Sequence, residues 1–283
     1  MSEATKGKVI LVGAGPGDPD LITIKAVNYL QQAEIVLTDR LVSTEILNRY
    51  VSAHAIIIEV GKQCRRGIST PQPTINELLV YYALQGKLVV RLKGGDVAFF
   101  SNVLDELETL VKHNIAYEIV PGITAASGAS AYAGIPLTAR DHATAVRFLT
   151  YHKSTIIPNG HWKELASTDD TLIFYMSSET LDLLVDKLVE HNAAGDKELA
   201  VIEQATTPYQ QVYSCRLHDY VKQLKGKKFL SPSLVIVGKV VGLQKEFAWF
   251  NSNNANGAFY FKPLTGVVGN LDNYSNNKYA DRA

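Results

Sequence analysis

GAGPGDPDLIT, Gly13 to Thr23, grows out of the apolar run KVILVG, Lys8 to Gly13, and leads into a helical pattern. Three glycines and a proline thus stand between a short β-branched strand and a helix. Leu21, Ile24, Val27 and Leu30 recur at three-residue spacing and predict one buried stripe on that helix. A strand ending in a glycine turn lets a ligand approach the backbone, because no Cβ stands in the way. In open α/β sheets these carboxyl ends of strands are where ligands bind. Asp18 and Asp20 lie in the same loop. Two carboxylates line a pyrophosphate site poorly and suit a neutral or cationic ligand better.

The same alternation continues outward. Strands are predicted at Lys8–Gly13, Glu34–Asp39, Ala55–Val60, Lys87–Leu92 and Ala116–Val120. Ile75, Leu78, Leu79 and Tyr82 mark a helix, with Thr70 as its cap and Pro71 in its first turn. Val103, Leu104, Leu107, Leu110 and Val111 mark another, with Asn102 and Asp105 spaced as a capping box. Such alternation predicts a mostly parallel sheet covered on both faces. PGITAASGASAYAGIP, Pro121 to Pro136, breaks the rhythm with small residues and reads as a domain junction plus a tightly packed short helix. Strands follow at Val146–Tyr151, Thr171–Tyr175, Leu199–Gln204, Gln211–Arg216 and Ser233–Gly238, with a helix carrying Leu181, Leu184, Val185, Leu188 and Val189 among them. A hairpin-length TTPYQ joins two of these strands, so the second sheet is predicted to be mixed. The domains expected are 1–121, 122–245 and an irregular, Asn-rich tail over 246–283.

With 283 residues the chain has room for two domains. Lys plus Arg and Asp plus Glu both number 28, which argues against nucleic-acid or membrane binding driven by bulk charge. Only two cysteines, Cys64 and Cys215, and a polar start without an apolar segment read as a reduced, cytoplasmic protein. No pair of His or Cys has metal-ligand spacing, so no metal is expected.

Several loops carry candidate chemistry. Gly13 and Gly15 match the start of a dinucleotide motif and Asp39 ends the second strand, but Asp18 stands where the motif's last glycine belongs. A nucleoside-type ligand, NAD and a purely structural turn all remain open. In TDRLVS, Thr38 to Ser43, Asp39 is either a capping acid with a salt bridge or a general base at the mouth of the sheet. GKQCRR, Gly61 to Arg66, and the segment holding Arg140, His142, Arg147, His152 and Lys153 are either solvated surface or partners of a polyanionic small molecule. LKGGD, Leu92 to Asp96, repeats the logic of the first loop. Met176, in FYMSS, reads by itself as core filler.

Taken in order, GAGPGDPDLIT, TDRLVS, VGK, RLKGGD, VPGITAASGASAYAGIPLTARDHA, FYM and SPSLVIVGKVV resemble the tetrapyrrole methylase family over roughly Lys8 to Leu243. TDRLVS and the long PGITAASG string are the more specific strings and point to the members that methylate uroporphyrinogen III on carbon. The resemblance implies two α/β domains with the active site in the cleft between them, a homodimer, S-adenosyl-L-methionine as methyl donor, and two methylations giving precorrin-2 for siroheme or cobalamin. It implies donor contacts at Pro16, Gly94, Gly95, Asp96, Phe99, Thr124, Ala125, Met176 and Ala205. It makes Asp39 a proton acceptor and Lys62 a proton donor. Arg40, Arg65, Arg140 and Arg147 are then candidate partners of the substrate's carboxylates. The family's GGDPFIFGRGGEE reads here GGDVAFFSNVLDE, so an arginine able to hold substrate carboxylates is Asn102 in this chain. The rival readings are another methylase of the same fold, against which TDRLVS argues, and a nicotinamide-dependent oxidoreductase using the glycine loop.

Overall fold

β-Branched runs and the helices between them build two three-layer α/β units. The computed structural model describes residues 6–63, 68–152, 157–252 and 259–261, without the side chains of 62–69. The chain divides into unit 1, Met1–Thr124 with Phe261–Ala283, and unit 2, Ala125–Tyr260.

Unit 1 holds strands β1 (Lys8–Gly13), β2 (Ile35–Thr38), β3 (Ile56–Glu59), the two-residue ribbon β4 (Lys62–Gln63) and β5 (Ile68–Ser69), β6 (Leu88–Lys93) and β7 (Ala116–Val120). Its helices are α1 (Ile24–Gln32), α2 (Thr44–Tyr50), α3 (Gln72–Leu84) and α4 (Val103–Lys112). The main sheet has the order β3-β2-β6-β1-β7 and every pairing in it is parallel. Alternation along the strands sends Val9, Leu11, Leu37 and Val89 to the α3/α4 face and Ile10, Val12, Val36 and Val90 to the α1/α2 face.

Unit 2 begins with α5 (Ala125–Ala133) and continues through β8 (Val146–Thr150), α6 (Asn159–Ser167), β9 (Thr171–Tyr175), α7 (Leu181–Glu190), β10 (Glu198–Glu203), β11 (Gln211–Arg216), α8 (Tyr220–Gln223), β12 (Ser233–Gly238) and α9 (Gln244–Phe247). Its sheet, β11-β10-β12-β9-β8, is mixed as expected: β8 and β9 are parallel, and β10, β11 and β12 pair antiparallel. α5 packs through Ala126, Gly128, Ala129 and Ala133, small enough to let the helix lie close. No helix among the described residues is long and apolar enough to cross a membrane.

Several local expectations are corrected. The stripe predicted on the first helix does not form, because Leu21 ends a separate 3₁₀ turn and Thr23 caps α1 at Ala26. Ile24 is therefore 81% exposed, and the buried residues are Ala26 and Leu30. On α4, Leu104 and Val111 face solvent while Glu106 is fully buried. Asn102 and Asp105 make no capping box. Asn102 adopts a left-handed backbone, and its amide donates to the Asp105 carboxylate and to Gln72. Thr70 does not cap α3, which starts after Pro71; its hydroxyl accepts instead from the Gly61 backbone N–H. The stretch expected to be irregular starts inside α9.

Four helices end alike. After α3, α4, α5 and α7 a left-handed residue, Gly86, Asn114, Gly134 or Asn192, turns the chain. The next N–H then reaches back five residues, as from Ile115 to Leu110 O and from Ala193 to Leu188 O. Asn192→Gly should leave stability unchanged or raise it, whereas Asn192→Val should lower it by about 1–2 kcal/mol, since a β-branched residue resists this backbone. Urea unfolding of both variants checks this, and equal stabilities would remove the left-handed turn as the reason for Asn192.

Candidate functional site

Because the main sheet of unit 1 is parallel, β1, β2, β6 and β7 deliver their carboxyl ends to one edge. There the backbones meet without side chains between them. Gly15 and Gly95, at φ +81 and +72, exchange two N–H···O bonds of 3.0 and 2.8 Å. A Cβ on Gly13 would stand 2.6 Å from Gly122 N, and one on Gly122 would stand 2.4 Å from Gly95 O. Asp96, 8% exposed, fastens the same junction: Oδ1 accepts from Ala98 N and Oδ2 from Gly122 N, both at 2.8 Å. Pro16, Gly94, Gly95 and Thr124 are half-buried along this edge and Phe99 is exposed beside it. The glycine loops after β1, β6 and β7 are thus brought together.

Asp39 follows β2 on the same edge. Its backbone N–H donates to Leu92 O, and the following residues pack on Gly94, where an added Cβ would stand 2.9 Å from Leu41. It does not cap a helix. Ser43 caps α2, accepting from Ile46 N. The Asp39 carboxylate, 28% exposed, instead receives Arg91 Nη2 on Oδ1 at 2.5 Å. Its Oδ2 makes no hydrogen bond among the described residues.

Arg91 belongs to a buried ionic cluster that the sequence reading missed. Its Nε donates to Glu106 Oε1 at 2.9 Å, and Lys93 Nζ reaches both Glu106 oxygens at 3.0 and 3.1 Å. Arg91, Lys93 and Glu106 side chains are 3%, 2% and 0% exposed, so the charges have each other rather than water. Burial works against the Arg91 charge, but Asp39 and Glu106 more than offset it and hold the guanidinium above its ordinary pKa. Burial, helped by the Arg91 cation, pulls the Lys93 ammonium below its ordinary value against the pull of both carboxylates. The signal was present in the sequence: two cations at i and i+2 on a central strand share one face and require a buried acid.

Lys62 opens the β4 ribbon just beyond β3, but its side chain, and the whole of Arg65, lie outside the described residues. Arg40 is half-buried next to Asp39.

In unit 2, β9 and β10 both run antiparallel to β12, so Met176 and Ala205, just past their ends, lie on one edge of that sheet. Met176 is 58% exposed at φ +55, which is not the environment of core filler. The Tyr175 hydroxyl accepts from Ala126 N at 3.1 Å, tying the start of α5, and hence Ala125, to the end of β9. Arg140 is exposed and makes no ion pair among the described residues. Arg147 is engaged: Nε meets Asp170 and Nη1 meets Glu164, each at 2.5 Å, and these bonds raise its pKa.

The glycine junction can be tested by contrast. Gly122→Ala should cost about 1–3 kcal/mol, because its neighbours are backbone atoms that cannot move aside. Gly160→Ala, on α6 with nothing within 4 Å, should be neutral or stabilising by up to about 1 kcal/mol. Thermal unfolding of the two variants decides, and equal effects would mean the junction has slack.

Residues 8–220 match the family model described as Tetrapyrrole (Corrin/Porphyrin) Methylases. A siroheme synthase of Vesicomyosocius okutanii subsp. Calyptogena okutanii is 44% identical over 250 residues, 88% of this chain and 53% of the relative. The chain spans about half the length of the curated relatives it matches. Among solved structures, uroporphyrin III C-methyl transferase from Thermus thermophilus is 31% identical, in its native form and complexed with S-adenyl homocysteine, with TM-scores of 0.70 and 0.69; each covers 84% of this chain and 100% of that one. A cobalt precorrin-4 methyltransferase is 25% identical, with a TM-score of 0.73 over 83% of this chain and 95% of its own. With the model spanning most of its length and these likenesses beside it, the chain belongs to the tetrapyrrole methylase family.

Proposed function

We propose that this chain is a carbon methyltransferase that moves two methyl groups in succession from S-adenosyl-L-methionine to uroporphyrinogen III, giving precorrin-2 for siroheme or cobalamin synthesis. The observation that carries the reading is Asp39: a carboxylate on the edge where the glycine loops meet, held by Arg91 through one oxygen. The likeness to uroporphyrin III C-methyl transferase and to half of the siroheme synthases supports the choice of acceptor.

The residues fit a sulfonium donor. The glycine junction brings the ends of β1, β6 and β7 together with backbone packed on backbone, and the nearby cations Arg91 and Lys93 are buried against carboxylates rather than turned toward a ligand. Bound there, the donor supplies an electrophilic methyl on positively charged sulfur. In unit 1 the proposed contacts are Pro16, Gly94, Gly95, Asp96, Phe99 and Thr124. Asp96 acts through its backbone and by holding Gly122, since both carboxylate oxygens are already engaged with N–H groups. In unit 2 the same reading gives Ala125, Met176 and Ala205.

The chain's own work is alignment and proton transfer. Once the acceptor carbon has gained its methyl, the cationic tetrapyrrole must shed a proton. Asp39 Oδ2 accepts it while Arg91 fixes the carboxylate's orientation. Lys62 is the proposed proton donor. For the carboxylate-rich acceptor the proposed partners are Arg40, Arg65 and the exposed Arg140. Arg147 would first have to leave Asp170 and Glu164. The working form is proposed to be a homodimer in the cytoplasm.

S-adenosylhomocysteine at a hundredfold its Kd should stabilise the protein by about 2.7 kcal/mol and NADH should not; the reverse pattern would move the chain to the oxidoreductases. Uroporphyrinogen III with labelled donor should gain two methyls by mass, and labelling of another tetrapyrrole alone would shift the acceptor. Asp39→Asn keeps the shape and loses the basicity. It should cut kcat by about a hundredfold to ten-thousandfold with the S-adenosylhomocysteine Kd unchanged. Full turnover in that variant would leave Asp39 a merely structural partner of Arg91.

A further inference from the structure

The end of α9, the residues just after it and Tyr260 touch the elements of unit 2 that the proposed function assigns to the donor. Gly134, at the end of α5, lies so close to the end of α9 that an added Cβ would meet Phe247 O at 2.2 Å. Trp249 Nε1 donates to Ala131 O at 2.8 Å, and the rings of Trp249 and Phe250 sit 5.2 and 4.9 Å from that of Tyr132. Farther on, Tyr260 N donates to Gln204 Oε1 at 2.8 Å, and the Tyr260 ring lies 6.2 Å from Tyr209.

Gln204 and Tyr209 belong to the loop that carries Ala205. This loop is held in a costly conformation. Gln204 at φ +46 and the β-branched Thr206 at φ +67 flank Ala205, and both are buried. Such backbone persists only where its surroundings over-determine it. Gln210, 3% exposed, supplies one restraint: its Oε1 accepts from Thr206 N and its Nε2 donates to Tyr132 O, linking the loop to the end of α5. Trp249 and Tyr260 supply a second restraint on the same two elements.

We propose that Trp249 and Tyr260 are working parts of the donor site, a clamp in which Trp249 fixes α5 and Tyr260 fixes the Gln204–Gln210 loop, so that Gln204 and Trp249 are positioning residues for donor binding. The proposal rests on the reading of Ala125 and Ala205 as donor contacts. The Gln204 side chain touches the clamp rather than a ligand. Its amide oxygen accepts from the part-buried Tyr260 N–H and thereby sets the backbone on which Ala205 stands.

The experiment uses the full chain, with S-adenosylhomocysteine binding by calorimetry and separate KM values for donor and tetrapyrrole. Gln204→Leu and Trp249→Ala should each raise the S-adenosylhomocysteine Kd and the donor KM by about threefold to tenfold, the range of one net hydrogen bond. The tetrapyrrole KM should stay within about twofold. Gln204→Glu, which keeps the acceptor oxygen, should return the Kd to that of the unmodified chain. If Gln204→Leu does not fold, Trp249→Phe decides, since it keeps a ring on Tyr132 and removes the N–H; a raised Kd supports the clamp and an unchanged one overturns it. Native donor constants in the Leu and Ala variants, or equal losses in every constant, overturn it as well. Ala205→Trp separates the two readings. If it blocks S-adenosylhomocysteine while Gln204→Leu and Trp249→Ala bind normally, only the clamp falls; if it leaves binding untouched, the donor reading of this loop falls and the clamp with it.

Discussion

The Arg91–Glu106 ion pair is the contact on which the organisation of unit 1 turns. Arg91 lies on β6, the middle strand of five, and Glu106 on α4, so the pair fixes the helix to the sheet at the end where the loops converge. Lys93 closes the pair from below and Asp39 from the side, and two cations face two carboxylates. A cluster this dry gains little over well-packed apolar residues, yet removing one member strands a charge and costs about 3–5 kcal/mol. Its worth is therefore positional. α4 cannot slide along the sheet, β2 cannot shift against β6, and one carboxylate oxygen is left at the mouth of the sheet.

That anchoring explains how the altered segment from Val97 to Leu104 is tolerated. The pattern GGDPFIFGRGGEE has glycines where this chain has Ser101, Val103 and Leu104 and an arginine where it has Asn102, and the turn is made with Phe100 at φ +51 and Asn102 at φ +55. Side-chain bonds hold it. Ser101 donates to Val97 O, and Asn102 donates to Gln72 on α3 and Asp105 on α4. Val97, in place of proline, is buried in the α3/α4 core. Glu106 follows on α4, tied to Arg91 and Lys93 on β6. The position of the missing arginine is now spent on joining α3 to α4.

How much of this was legible depends on which force sets each element. β-Branched runs announced the strands because burial on both faces leaves few other compositions for a parallel sheet. The glycine loops were legible because only glycine permits the approach of Gly13, Gly95 and Gly122. The stripe on α1 was misread because the three-residue spacing was counted across a break: the chain stops at Leu21 and restarts at a Thr23 cap, which resets the helical phase. On α4 the apolar positions concealed a buried glutamate, since its reason for being inside sits on another strand. Asp39 kept two readings because a capping acid and a free carboxylate look alike in sequence. Only the backbone showed that Ser43 takes the cap.

The distribution of backbone strain adds a line of reasoning independent of any likeness. Among the described residues, Phe100, Asn102, Asn114, Asp141, Met176, Asn192, Gln204 and Thr206 adopt positive φ without being glycine. Asn and Asp bear this conformation at small cost, and two of the asparagines merely end helices. The residues that bear it badly are Phe100, Met176, Gln204 and Thr206, and all of them follow the carboxyl ends of β6, β9 or β10. Each must be held there by something, at a cost of the order of 1–3 kcal/mol apiece. Folding alone gives no reason to place a Phe, a Met or a Thr where a glycine would serve. A side chain required to stand at the end of a strand gives one, and in both units the carboxyl ends of strands are the edges to which the separate readings of Asp39, Met176 and Ala205 had already pointed.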